Sequence, residues 1–217
     1  MFNEMDKVRN MMGVCPQHDV LFDNLTPEEH LSVFCDFKGF KGNKKEEIEK
    51  ILKDVDLIHL RSTVAKKLSG GSKRKLSLGI ALCGGSKVVL LDEPTSGMDL
   101  TARRQMWEML KSYKNDRIII LTTHYMDEAD ILGDRIGIMV AGKIFCLGPS
   151  LFLKGRFGVG YKLTLVKNEE GNNTLAEPFL TQHLGEVQLE DETKGEITFK
   201  IAEKYAPKFK NFFFKLD

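Results

Sequence analysis

The most constraining feature of the sequence is the run VVLLD at 88–92, four aliphatic residues followed directly by a carboxylate. A continuous aliphatic run of this length is typical of a central strand in a parallel sheet, buried on both faces. A second such run, at 117–122, is interpreted as another buried strand, and predicted helices over 99–111 and 125–132 follow the two runs. This alternation of strands and helices predicts an α/β core with a parallel sheet.

Upstream of this core, the sequence predicts a short strand over 11–15 and helices over 26–37 and 43–55. The first of these helices begins with a capping-box pattern, in which Thr26 and Glu29 satisfy each other's backbone N–H groups. A Gly-rich basic turn then leads into an apolar helix that ends near Cys83.

Downstream of the core, the strands predicted over 135–140 and 143–147 flank Ala141-Gly142, which favours a hairpin turn. The character of the chain changes near 155, and a β-α-β-β-α order follows over 161–214. That order matches a ferredoxin-like domain without its last strand. We therefore predict two partial domains, 1–155 and 156–217.

Composition excludes several classes of protein. Lys and Arg together number 32 and Asp and Glu 31, so no broad basic face for nucleic acid is implied. The longest aliphatic runs are far shorter than the roughly 20 apolar residues that span a bilayer, and the N-terminus has no signal-peptide pattern. The four cysteines lack the spacing of a zinc site or a disulfide framework, so we expect reduced thiols.

Two carboxylates, Asp92 and Glu93, follow the predicted central strand. Ligands of open α/β sheets bind at the carboxyl ends of strands, so this pair is a candidate Mg²⁺-nucleotide site. Asp92 would hold Mg²⁺ through water, and Glu93 would polarise the attacking water. Taken alone, an Asp-Glu pair is more often a polar strand end before a turn.

A second candidate is the segment LSGGS at 68–72. Two glycines let backbone N–H groups approach a ligand, and a helix beginning at Ser72 would direct its positive end towards a phosphate. A flexible loop with an ordinary serine cap is the simpler alternative. The basic residues 73–75 are interpreted as a solvated helix face.

Two further candidates each follow a predicted strand. His124 offers an N–H donor suited to a γ-phosphate, and the neutral amide of Gln17 suits Mg²⁺ or the attacking water. Either residue alone is more often structural.

Together, in their order along the chain, these residues resemble the motifs of the nucleotide-binding domain of ATP-binding cassette (ABC) transporters. The resemblance implies a P-loop NTPase-like fold, ATP and Mg²⁺ as cofactors, and a catalytic role for Glu93 and His124. It implies that Asp92 and Gln17 contact the metal. The residues that it places at the nucleotide in the Q-loop, signature and D-loop are Gln17, Ser69, Gly70, Gly71, Ser72 and Asp99.

Four stretches are most similar to subfamily A, the lipid exporters: VCPQHDVLF, LSGGSKRKLS, TSGMD and FGVGYKLTL. One departure is Ser72, where the wider family often has Gln. The resemblance implies transmembrane domains and a second nucleotide-binding domain as partners, a lipid-like substrate, and a place at the cytoplasmic face of a membrane. It implies no nucleic-acid partner.

The family's phosphate-binding loop, GxxxxGK[ST], is missing from the 16 residues that precede Gln17. Residues 137–144 fit GxxxxGK but end in Ile144, which has no hydroxyl, and they span a predicted hairpin. We therefore expect a nucleotide-binding domain truncated before its Walker A loop, with weak ATP binding and no turnover by itself. Two alternatives stay open: a non-catalytic module that supplies its signature to a partner's ATP site, and an ABC ATPase without a membrane partner.

Overall fold

The computed structural model describes residues 5–158, 160–167 and 176–214. One compact unit extends to Gly133 and a second begins at Asp134, whereas the domain boundary predicted after 155 stays a prediction. Val159, within the stretch FGVGYKLTL, lies outside the described residues. None of the described helices is long and apolar enough to cross a membrane.

The first unit is an α/β structure, as predicted. Its strands β1, β2 and β3 form a parallel sheet in that order, with β2 in the centre. Two short 3₁₀ turns, Ile58–Leu60 and Ala65–Lys67, precede α4. The elements are α1 Met5–Met11, β1 Met12–Cys15, α2 Pro27–Phe37, α3 Lys44–Asp54, α4 Gly70–Leu82, β2 Val88–Asp92, α5 Leu100–Tyr113, β3 Ile118–Thr122 and α6 Met126–Leu132.

The helix starts follow local capping chemistry. The capping box of α2 is complete, because the Thr26 side chain accepts from the Glu29 N–H and the Glu29 carboxylate accepts from the Thr26 N–H. Asn43 caps α3 and Asp99 caps α5, each by accepting a backbone N–H three residues later. These predicted helix starts are confirmed, because each depends on side chains within one turn.

Only one face of the parallel sheet is buried among the described residues. Val89 and Leu91 of β2 join the same core as Leu76 and Leu78 of α4. On β3, however, Ile118 is 62% exposed and Ile120 is 56% exposed. The prediction that 117–122 forms a buried strand is therefore wrong for one face, because successive side chains of a strand point to opposite sides.

Gly13 lies at the closest approach of β1 to α4. An added Cβ would lie 1.8 Å from the carbonyl oxygen of Ala81 and 2.7 Å from its carbonyl carbon, and both are backbone atoms. We expect Gly13→Ala to lower the free energy of unfolding by about 2 kcal/mol, the usual cost of overpacking, in urea denaturation. Gly70→Ala is the matched control, because a Cβ there meets no atom within 4 Å. Equal effects of the two substitutions would contradict this explanation.

The second unit contains two separate antiparallel sheets. Strands β4 and β5 form a hairpin whose turn, Ala141-Gly142, has φ values of 48° and 75°, which confirms the predicted hairpin. The GxxxxGK-like residues 137–144 therefore form a hairpin rather than a phosphate loop. Strands β6, β8 and β7 form the other sheet in that order. The elements are β4 Ile136–Val140, β5 Lys143–Gly148, α7 Ser150–Phe157, β6 Tyr161–Val166, α8 Ala176–Leu184, β7 Val187–Glu192, β8 Glu196–Ile201 and α9 Phe209–Phe213.

The predicted β-α-β-β-α order of this unit is confirmed by β6, α8, β7, β8 and α9. Its sheet packs on α8 and α9 through a core that includes Leu180, Phe199 and Phe212. The closing helix differs from prediction, because Glu203–Lys208 is a 3₁₀ helix that precedes α9. Pro207 lies in this segment, and proline has no N–H for an α-helical bond.

Candidate functional site

The candidate site is built on the carboxyl ends of β2 and β3. Asp92 pairs with Thr122 across these strands, and the Thr122 hydroxyl donates to the Asp92 carboxylate at 2.5 Å. The Glu93 N–H donates to the carbonyl oxygen of Thr122 at 3.1 Å. Thr122 therefore holds the two adjacent carboxyl residues in place, a role that the sequence analysis did not assign to it.

The side chains of Glu93 and His124 are in direct contact. His124 Nδ1 lies 2.8 Å from Glu93 Oε2, and their side chains are 55% and 25% exposed respectively. Glu93 has φ of 47°, a left-handed conformation that is uncommon for a residue other than glycine. Backbone strain of this kind is often found at functional sites. This arrangement suits a carboxylate that accepts a proton from water while a ring N–H fixes its orientation.

Gln17 lies at the same edge of the sheet, after the neighbouring strand β1. Cys15 pairs with Leu91, so Gln17 and Glu93 each lie two residues beyond a paired position. Gln17 is exposed. Burial raises the pKa of the Cys15 thiol to about 11, so this sulfur is protonated at neutral pH.

The oxygen atoms at this edge fit a magnesium ion that keeps most of its water. The described residues contain no group of three or more His, Cys, Asp or Glu side chains that could hold a metal ion. Magnesium usually takes one or two carboxylates in addition to water and substrate phosphates. Asp92, as one carboxylate, together with the amide oxygen of Gln17 would be a donor set for such an ion.

The signature segment, residues 68–72, contains the N-cap and the first turn of helix α4, which begins two residues earlier than predicted. Gly70, rather than Ser72, is its first residue, because Ser69 has an extended backbone and accepts the Ser72 N–H at 3.1 Å. An added Cβ at Gly70 or Gly71 would meet no atom within 4 Å. The first N–H groups of a helix have no intrahelical partner and favour anions. Gly70 is exposed and Gly71 is half-buried, and the space where a Cβ would stand is open at both.

Asp99 stands at the start of α5 and accepts the Ala102 N–H at 2.9 Å. This backbone hydrogen bond holds the pKa of the Asp99 carboxyl below its usual range. The geometry therefore gives Asp99 a capping role, whereas its place at a nucleotide stays a prediction.

Two buried charged residues were missed from the sequence. Glu128 in α6 is fully buried, and its Oε1 accepts from the Thr95 hydroxyl and the Trp107 indole N–H, each at 2.9 Å. Arg74 in α4 is 3% exposed, so its interpretation as part of a solvated basic face is wrong. The available signal was that Arg74 shares a helix face with the apolar residues Leu78 and Ala81, at helical spacing.

Comparison with known proteins shows what the chain is similar to. A family profile described as ABC transporter matches residues 1–96. The phospholipid-transporting ATPase ABCA3 of Rattus norvegicus is 46% identical over 215 residues, which are 99% of this chain and 13% of that protein. The cholesterol transporter ABCA5 of Homo sapiens is 41% identical over 216 residues, which are 99% of this chain and 13% of that protein. The chain thus spans about an eighth of these relatives.

Solved structures support the fold. The ATP-binding subunit of an ABC transporter aligns with a TM-score of 0.64 at 24% identity, covering 71% of this chain and 65% of that one. A dimeric ATP-binding cassette in a post-hydrolysis state, bound to ADP and Pi, aligns with a TM-score of 0.62 at 22% identity. That alignment covers 69% of this chain and 67% of the cassette.

Proposed function

We propose that the chain, which is similar to ABC transporters of subfamily A, couples ATP binding and hydrolysis to transport of a lipid-like substrate across a membrane. The observation that carries this proposal is the 2.8 Å contact between His124 and Glu93, directly beside Asp92 at the carboxyl edge of a parallel sheet. Names of relatives that transport phospholipid and cholesterol support the substrate class.

Each residue of this edge has one proposed role. Asp92 and Gln17 contact Mg²⁺, whose charge offsets that of the phosphate oxygens. Glu93 accepts hydrogen bonds from the attacking water and takes its proton. His124 donates from Nδ1 to Glu93 and so fixes the direction in which the carboxylate points.

The proposed ligand of the signature segment is an ATP molecule that a second domain holds. Ser69–Ser72 would present the N–H groups of the first turn of α4 to the phosphate of an ATP molecule held by a second nucleotide-binding domain. The uncovered Cβ positions of Gly70 and Gly71 support this role, because glycine there is not required by contacts within the chain. Asp99 would lie near the same partner. The dimeric cassette among the structural neighbours supports a second domain.

Transmembrane domains are the other proposed partner, at the cytoplasmic face of the membrane. The loop between Gln17 and Thr26 carries two exposed apolar side chains, Val20 at 72% and Phe22 at 53%. Apolar side chains held out from a loop next to the site favour a protein contact.

The isolated chain is expected to bind ATP weakly and not to hydrolyse it, because its sequence offers no lysine-containing phosphate loop. Phosphate release and nucleotide binding by the purified 217 residues test this prediction. Robust turnover that is lost in Glu93→Gln would contradict it.

The proposed function itself is tested by grafting. In this experiment, the chain would be substituted for the matching 215 residues of rat ABCA3, which is named as a phospholipid-transporting ATPase. We expect ATP hydrolysis by the graft to stay within about tenfold of the parent, a difference of about 1.4 kcal/mol in the barrier. A graft that assembles and binds ATP but does not hydrolyse it would instead favour the non-catalytic alternative, a module that only supplies its signature.

A further inference from the structure

Arg74 of helix α4 bonds to three consecutive backbone carbonyls at the end of β2. Its Nη2 donates to the carbonyl oxygens of Asp92 at 2.5 Å and Glu93 at 2.8 Å. Its Nε donates to the carbonyl oxygen of Pro94 at 3.1 Å. The segment that carries the proposed catalytic carboxylate is therefore tied to helix α4 through its main chain.

The same guanidinium also holds the segment after β1. Its Nη1 donates to the carbonyl oxygens of Pro16 at 2.6 Å and Gln17 at 3.1 Å. The carboxylate of Asp19 lies 3.3 Å from the same nitrogen and accepts from the Ser77 hydroxyl at 2.9 Å. One side chain thus joins two loops that are far apart in the sequence.

This arrangement requires arginine for a physical reason. A buried charge is tolerated only when it is paired and fully hydrogen-bonded, and Arg74 is 3% exposed. Guanidinium offers five N–H donors in a rigid planar fork, so that it reaches acceptors on two sides at once. A lysine ammonium offers three donors from a single atom, and it cannot span both loops.

We propose that Arg74 is a positioning residue. It makes the loop after β1, which carries Gln17, the loop after β2, which carries Glu93, and helix α4 move as one unit. The two loops then shift together rather than separately, so that a displacement at Gln17 moves the backbone of Glu93. Its importance for catalysis rests on the proposed function, whereas the coupling itself rests only on the six contacts of the guanidinium.

The test is amide hydrogen exchange in the whole chain without nucleotide, so it can fail or succeed independently of ATPase activity. In Arg74→Lys, exchange in residues 17–22, where the Phe22 N–H donates to His30 Nε2, and in residues 92–97 should accelerate together by at least about tenfold, which corresponds to the loss of one charge-assisted hydrogen bond. Exchange in the second unit should not change. Lys73→Met, at the adjacent half-buried position, is the matched control and should accelerate neither segment.

A rescue experiment separates positioning from packing. Millimolar ethylguanidinium should slow exchange in both segments of Arg74→Ala, whereas ethylammonium should not. Restoration by both compounds, or by neither, would overturn the proposal. So would acceleration in Arg74→Lys that is uniform over 5–133, or confined to one segment.

A measurement on the unmodified chain covers the case in which these variants do not fold. At low urea concentrations, the hydrogen-bonded amides of Phe22 in the first segment and of Glu93 and Ser96 in the second should open with the same free energy and the same dependence on urea, as one cooperative unit. Two distinct opening free energies would show that the loops move separately, and the proposal would be wrong.

Discussion

Glu93→Gln is expected to lower the rate of ATP hydrolysis by the grafted transporter by about 10²- to 10⁴-fold, the usual contribution of a general base. The substitution keeps the shape of the side chain and an oxygen that can accept from His124 Nδ1, but it removes the basic carboxylate that lies 2.8 Å from that ring. Phosphate release under single-turnover conditions measures the effect on the chemical step.

Two controls accompany this variant. Glu108→Gln changes an exposed carboxylate on α5, 76% exposed and paired with the surface residue Lys111, and should leave the rate unchanged. ATP affinity of the Glu93→Gln graft should also be unchanged, because Glu93 is proposed to act on water. A rate within a few-fold of the parent would remove Glu93 from the proposed mechanism.

Glu128→Ala is expected to lower the free energy of unfolding of the chain by about 4 kcal/mol. The substitution leaves the Thr95 hydroxyl and the Trp107 indole N–H without their shared acceptor in a buried site, and it also creates a cavity. Trp107 is the single tryptophan, so its fluorescence during urea unfolding measures the change directly. The emission of the folded variant should also differ, because the indole loses its hydrogen-bond partner.

Glu128→Gln and Glu108→Ala are the matched variants for this measurement. The glutamine keeps one acceptor oxygen, and we expect a loss of about 1 to 2 kcal/mol. The alanine at 108 replaces an exposed carboxylate and should change stability by less than about 0.5 kcal/mol. Equal losses at 108 and 128 would show that the buried hydrogen bonds contribute nothing.

Much of the fold could be predicted because its signals are local. The capping box of Thr26 and Glu29, the cap at Asp99 and the hairpin turn at Ala141-Gly142 each depend on a few neighbouring residues. Parallel pairing of β2 followed from its aliphatic run. The predicted start of α4 at Ser72 was wrong by two residues, because Ser69 and Ser72 are three residues apart and either hydroxyl can cap a helix.

The features that could not be predicted depend on contacts between residues far apart in the chain. The helical spacing of Arg74 with Leu78 and Ala81 indicates an inward face, but no local pattern identifies the partners of Arg74 or Glu128, because these partners lie 18 or more residues away along the chain. Aliphatic content likewise showed that β3 is a strand but not which of its faces is covered, so that exposed Ile118 and Ile120 were unexpected. The contact of Glu93 with His124 was not predicted, because the order of motifs places both residues at one site without pairing their side chains.

At Glu93 the left-handed backbone conformation lowers the stability of the fold, whereas the side chain is proposed to be needed for hydrolysis. For a residue with a Cβ, this conformation costs about 1 to 2 kcal/mol of conformational free energy, whereas glycine adopts it without that cost. Glycine at position 93 would therefore favour the folded state while removing the carboxylate on which hydrolysis is proposed to depend. Selection for folding alone would favour glycine here, and the proposed catalytic role of the carboxylate would account for glutamate at this position.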